Sequence, residues 1–191
     1  LRRGLRPAIS KCEARGFVRV WILALILFLT ACSTPAPSEV HMTLTLSSNA
    51  FAAGQSITSK YSCLGRDISP DLSWTDAPAN TRSFALIVDD PDAPMGIWVH
   101  WVLFNLPASA RSLPEDAGAS LPAGSLQGKN SSGNAKYMGP CPPSGTHRYF
   151  FKLYALDTLL YLPKGASKAD LLKAMEGNIL AQGELMETFG K

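Results

Sequence analysis

Two proline-stiffened segments constrain this chain more than any other feature. Asp90-Pro91-Asp92-Ala93-Pro94 runs into Trp98-Val99-His100-Trp101, and Gly139-Pro140-Cys141-Pro142-Pro143 runs into His147-Arg148-Tyr149. Proline fixes φ and removes a backbone donor, so each turn holds its shape with little outside help. Each turn leads directly into an aromatic-rich strand that carries a histidine. A rigid rim bearing carboxylates, imidazoles and aromatic rings suits a pocket for a small anion.

The rest of the folded body reads as strands first and helix last. Met42 to Leu46 alternates apolar and polar residues, the pattern of a half-buried strand, and Ile57 to Tyr61 reads as another. Leu72 to Trp74 is a short strand. Phe84 to Val88 is continuously apolar and predicts a central strand buried on both faces. Trp98 to Asn105 and Tyr149 to Leu156 are longer strands. Between Pro107 and Met138 lie many Gly, Pro, Ser and Asn residues in an irregular excursion. Ser167, with Asp170 three residues on, makes a capping-box-like helix start. Leu171, Leu172, Met175, Ile179, Leu180 and Met186 recur at helical spacing, so a short helix, a break near Gly177 and a second helix to about Thr188 are expected. The fold class is mainly β: an antiparallel sandwich with short C-terminal helices.

The N-terminal segment reads as an export signal. Arg2, Arg3, Arg6, Lys11, Arg15 and Arg19 form a basic leader before the apolar run Trp21 to Leu29, which is short for a membrane span. Leu29-Thr30-Ala31-Cys32 resembles the bacterial lipobox, in which the cysteine is lipidated and becomes the new N-terminus. The organisation is then a lipoprotein signal at 1–31, a flexible tether at 32–40 and a single domain at 41–191. Ser33 stands where an inner-membrane retention signal would have aspartate, so the expected location is the cell envelope, lipid-anchored, on an outer membrane where the cell has one. Cleavage leaves 160 of the 191 residues. The leader holds six of the 18 basic and one of the 15 acidic residues, leaving 12 against 14 and a net charge of −2. The sequence pI near 8.7 is therefore a property of the leader, and no basic surface for nucleic acid remains.

Cys63 and Cys141 remain after Cys12 leaves with the signal and Cys32 is lipidated. In an oxidising compartment the pair suits a disulfide, which would contribute about 4 kcal/mol on the chain-entropy model; two buried thiols are the alternative. Neither cysteine has a second one nearby, which disfavours a redox C-x-x-C or a zinc site.

Strand alternation places Trp98, His100, Val102 and Phe104 on one face of their strand, and His147, Tyr149, Phe151 and Leu153 on one face of theirs. Arg148 then points the opposite way, toward an outer salt bridge.

The motifs together resemble the phosphatidylethanolamine-binding protein family, in its bacterial Raf-kinase-inhibitor-like branch. The matching pieces are Tyr61-Ser62-Cys63, Asp67-Ile68-Ser69-Pro70, Leu72-Ser73-Trp74, Asp90 to Pro94, Trp98-x-His100-Trp101, Gly139 to Pro143 and His147-Arg148-Tyr149, in order along the chain. The resemblance implies Greek-key connections and a small pocket that accepts phosphate, acetate or a phosphoryl head group. It carries Asp90, Trp98 and His100 from the first stretch, and Gly139, Pro140, His147 and Tyr149 from the second, into the ligand site. It also supports the Cys63–Cys141 disulfide. Leu64 departs from the branch, where aspartate is usual, and the short link from Pro94 to Trp98 implies a more open mouth.

The two histidines would donate to a phosphate or carboxylate oxygen, most strongly when protonated; alternatively each is a core histidine satisfied by backbone or carboxylate. Asp90 would orient a histidine, Tyr149 would donate its hydroxyl and Trp98 would form an apolar wall. Asp92 and Pro142 are secondary candidates, Asp92 being equally suited to capping its own turn. No cofactor is implied, and the reading is of a binding protein rather than an enzyme, with a small phosphate- or carboxylate-bearing ligand and an envelope protein as its partners. The alternatives are a metal-dependent hydrolase using Asp90, His100 and His147, and a protease- or kinase-inhibitor-like interaction module.

Overall fold

The computed structural model describes residues 42–52 and 54–191. The leader, Cys32 and the tether lie outside the described residues. Within them, β1 (Met42–Thr43) and β2 (Thr45–Ser47) come first. They are followed by β3 (Leu72–Thr75), β4 (Ser83–Asp90), β5 (Trp98–Pro107), β6 (Ser112–Leu113), β7 (Leu126–Gln127), β8 (Thr146–Leu156), α1 (Lys168–Met175) and β9 (Ile179–Gly190).

One sheet has the order β1-β9-β8-β4-β5-β7 and a second the order β2-β3-β6. Neighbours are antiparallel except β1, which runs parallel to β9. The run β8-β4-β5-β7 sets the fourth strand beside the first, the Greek-key return. The segment expected to form one strand from Met42 to Leu46 is thus shared between the two sheets.

Apolar residues of β4, β5, β8 and β9 pack against Leu46, Leu72, Trp74 and Leu113 of the smaller sheet. On the other face Ala85, Ile87, Val102 and Phe104 pack against Leu171 and Met175 of α1. All eight positions of β4 are buried because both faces are covered, as its unbroken apolar run requires. Full burial of Leu171 and Met175 contributes roughly 1.5–3 kcal/mol each. The helix begins as its sequence predicts: Ser167 Oγ accepts from Asp170 N at 3.1 Å, and Asp170 Oδ2 accepts from Ser167 N at 2.9 Å. It ends before Gly177, whose φ of +74° favours glycine.

Two expectations are corrected. The second C-terminal helix is instead strand β9. Its burial alternates, with Ala181, Gly183, Leu185, Glu187 and Phe189 inside and Gln182, Glu184 and Met186 outside, so the helical count had drawn on residues of both faces. Gly183 permits the strand to sit where it does, since a Cβ there would lie 2.4 Å from the Leu44 carbonyl oxygen. The predicted strand Ile57 to Tyr61 is a single 3-10 turn, Ser59–Tyr61, preceded by one backbone bond from Ile57 N to Thr188 O at 2.7 Å.

Candidate functional site

β4 lies between β5 and β8, so the ends of these strands bring together residues distant in sequence. Asp90 closes β4 opposite Trp98 at the start of β5. His147 and Tyr149 stand on β8. The β4–β5 register then shifts: Val88 faces Trp101 and Asp89 faces Val99, leaving His100 as an extra residue. Such a bulge re-aims side chains. Regular alternation would put His100 with Val102 and Phe104, but those two enter the core beneath α1. His100 instead meets Tyr149 edge to face, with ring centroids 5.2 Å apart.

His100 is 3% exposed. Its Nδ1 lies 2.7 Å from the Met138 carbonyl oxygen. A carbonyl only accepts, so Nδ1 carries the proton. Met138 N in turn donates to the His100 carbonyl at 3.1 Å. Burial lowers the pKa of His100, opposed by the Met138 bond and by the charges of Asp90 and Asp89. Its Nε2 is buried without a partner, as is the Tyr149 hydroxyl. Burial, reinforced by the Asp90 charge, pushes the Tyr149 phenol up, so the hydroxyl keeps its proton.

His147 is held differently. Its Nδ1 lies 2.7 Å from Asp90 Oδ2, and both side chains are buried. The other Asp90 oxygen accepts from Asp92 N at 2.8 Å. The turn is therefore capped by Asp90, and Asp92 is free to face outward. There it accepts from Arg148 N at 3.0 Å, Nε at 2.9 Å and Nη2 at 2.6 Å. These bonds hold the Asp92 carboxyl down at about 2. Arg148 makes the outer salt bridge that alternation predicts.

The opposite wall is the segment that ends the long excursion. Gly139 N donates to Asp67 Oδ1 at 2.6 Å, and Cys63 N donates to the Pro140 carbonyl at 3.1 Å. A Cβ on Gly139 would lie 2.2 Å from the Tyr61 carbonyl oxygen, so only glycine fits this approach. A Cys63–Cys141 disulfide joins the same two segments, with Cα atoms 5.5 Å apart.

These walls enclose a cavity of about 340 Å³. Of the residues expected from sequence, Asp90, Trp98, His100, Pro142, His147 and Tyr149 line it. Gly139, Pro140 and Asp92 do not: the first two brace the wall from behind, and Asp92 is taken up by Arg148. Pro94, Met95, Met138 and Cys141 also line the cavity. Met95 is 95% exposed at its rim and Ile97, two residues on, is also exposed. The chemistry on offer is a hydroxyl, two imidazole nitrogens and a carboxylate behind one of them, in mainly apolar surroundings. That set can hold a small polar group by hydrogen bonds.

Residues 47–190 match the family model for phosphatidylethanolamine-binding protein. The chain belongs to that family. It is 54% identical over 146 residues to a UPF0098 protein of Methanothermobacter thermautotrophicus, covering 75% of this chain and 96% of the relative. It is 48% identical over 149 residues to a UPF0098 protein of Chlamydia muridarum, covering 75% and 97%. Among solved structures, a phosphatidylethanolamine-binding protein homologue from Chlamydia trachomatis superposes with a TM-score of 0.73 at 44% identity, covering 78% of this chain and 98% of that one. YbcL of E. coli, described as a new member of the mammalian family, gives 0.73 at 35% identity, covering 78% and 98%.

Within this member of the phosphatidylethanolamine-binding protein family, sequence reasoning missed Met138. Its contribution is a backbone carbonyl, which no side-chain pattern announces. Pro94 belongs to a quoted motif and could have been chosen on that ground.

Proposed function

We propose that this protein binds small anionic ligands, bearing a phosphate, carboxylate or phosphoryl head group, in the His100–His147–Tyr149 cavity. In this proposal it does so as a lipid-anchored envelope protein, and the bound ligand regulates an envelope partner protein. The observation that carries the binding reading is the pair of buried polar atoms without partners, His100 Nε2 and Tyr149 Oη, on residues lining one cavity. Buried polar atoms are nearly always bonded in folded proteins, so an orphaned pair in a cavity marks a place for a polar guest. His147 adds a donor at Nε2 when protonated on both nitrogens, with the Asp90 carboxylate as its countercharge.

A small ligand held by a few hydrogen bonds gains little buried area, so affinity falls in the micromolar to millimolar range, about −4 to −8 kcal/mol. The anchoring part rests on the Leu29-Thr30-Ala31-Cys32 sequence alone. The metal-dependent alternative is less favoured, because Asp90 is bonded to His147 Nδ1 instead of standing beside the imidazoles as a further ligand. The interaction-module alternative has the exposed Met95 and Ile97 near the rim as its natural contact.

Calorimetric titration of phosphate and acetate into the purified domain tests the binding. His100→Ala and His147→Ala should each weaken it about ten- to hundredfold, as expected for loss of one charge-assisted bond of roughly 1.5–3 kcal/mol. Unchanged binding by both variants would remove the site assignment and leave the interaction module. For the anchor, metabolic palmitate labelling should vanish in Cys32→Ser, and persistent labelling would refute it.

A further inference from the structure

The end of the sandwich opposite the cavity carries a second feature, which ligand binding does not use. β4 begins there, and β5 and β8 finish there. From Tyr149 to Ala155 the strand covers about 20 Å at roughly 3.3 Å per residue. Beyond β8 the chain loops through Thr158 to Tyr161. Leu160 turns into the core beside α1. Asn105 clamps it both ways: Leu160 N donates to Asn105 Oδ1 at 2.8 Å, and Asn105 Nδ2 donates to the Leu160 carbonyl at 2.9 Å. Asn105 holds a φ of +57°, a left-handed conformation that costs energy within a strand. The clamp turns the flanking residues outward, so Leu159 is 54% exposed and Tyr161 100%. Exposed apolar residues scattered singly are ordinary. These two stand together on a braced loop, and they share a hollow of about 400 Å³ with Arg82. Arg82 forms no ion pair among the described residues. A leucine, a tyrosine with a polar tip and an unpaired guanidinium are groups that suit a membrane–water boundary.

The path of the chain selects a bilayer as the occupant of this surface. β1 runs parallel to β9 from Met42, which lies opposite Ala181, and Ala181 lies opposite Ala155 near the end of β8. The chain therefore enters the domain at the same end as Leu159 and Tyr161. Cys32 stands ten positions before Met42, a reach of at most about 35 Å. Turning the cavity end to the bilayer would take more than half of that reach merely to run back along the sheet. We propose that the end carrying Leu159, Tyr161 and Arg82 rests on the lipid bilayer that holds Cys32, so that the cavity opens away from the membrane. Leu159 and the Tyr161 ring enter the head-group boundary, and Arg82 faces lipid phosphates. This rests on the lipid-anchored reading above and adds an orientation to it. The cavity then takes its anions from the aqueous compartment, and Met95 and Ile97 at its rim face the same way.

The test uses the mature chain, lipidated at Cys32, in phosphatidylcholine nanodiscs with a minor share of phosphatidylglycerol and a trace of head-group spin-labelled lipid. Methyl NMR is the readout. The Leu159 and Ala108 methyl signals should be lost to paramagnetic broadening, while those of Met95 and Ile97 remain. Replacing both polar anchors, Arg82→Gln with Tyr161→Ser, should restore the Leu159 signal. Its continued loss in that variant would show that the tether alone orients the domain and would overturn the docking surface. Loss at Met95 and Ile97 with Leu159 intact would overturn the orientation. Equal loss or equal survival at both ends would do the same, since either marks a domain with no preferred face. A mature chain that carries no lipid at Cys32 by mass spectrometry would overturn the anchored reading and this proposal together.

Discussion

His147 Nδ1 donates to Asp90 Oδ2 across 2.7 Å, joining β8 to the end of β4 inside the protein. The bond fixes the imidazole tautomer and leaves Nε2 for the cavity. It also separates the roles of two neighbouring carboxylates: Asp90 holds His147, while Asp92 is spent on Arg148 at the surface.

Asp90→Asn removes the countercharge but keeps the shape. Phosphate affinity should fall about tenfold, the lower end for a charge-assisted bond. Asp92→Asn should leave affinity within about twofold, because it loosens only an exposed ion pair. Calorimetric titration of the two variants side by side checks this, and equal losses would show that the two carboxylates are not divided as described.

The Cys63–Cys141 disulfide closes a long loop, with a sequence separation of 78, and ties the Tyr61 segment to the cavity wall. Thiol counting on unfolded, unreduced protein should find neither cysteine free. Cys63→Ser together with Cys141→Ser should cost about 4 kcal/mol or somewhat less, seen as a lower denaturation midpoint. Two titratable thiols in the purified, unreduced protein would contradict the bond.

The parts of the fold that were legible in the sequence are those where one local rule governs. The apolar run of β4 implied cover on both faces, and Ser167 with Asp170 marked the start of α1. β9 was illegible because Ile179, Leu180 and Met186, drawn from both faces of the strand, mimic helical spacing, while the packing of Gly183 against the Leu44 backbone is visible only in the structure. His100 lines the cavity, but on the face opposite to Val102 and Phe104, because a bulge depends on the register of a partner strand. Gly139 and Pro140 were read as ligand contacts from their motif. In the structure Gly139 packs against the Tyr61 carbonyl, which requires glycine, and the Pro140 carbonyl accepts from Cys63 N.

Glu187 is fully buried on β9, with Oε1 accepting from Gly54 N at 3.3 Å and Oε2 unpartnered. Burial raises its pKa above the usual 4.5. A raised folded-state pKa gives stability that is complete below the unfolded value and is lost as pH rises through the folded one. Glu187→Gln keeps the acceptor and removes the charge. It should melt a few degrees above the parent at alkaline pH, where about 1 kcal/mol corresponds to roughly 2–4 °C. The gap should close once the pH falls below about 4.5. Thermal melts across that range check the sign, and a gap that widens in acid would reverse the assignment.

The central claim is that the cavity at the ends of β4, β5 and β8 is the ligand site. NMR titration with phosphate tests it most directly. Resonances of Asp90, His100, His147 and Tyr149 should shift together and saturate with one dissociation constant in the micromolar to millimolar range. If those four stay still while other residues shift, or if nothing shifts at saturating phosphate, the cavity is not the site.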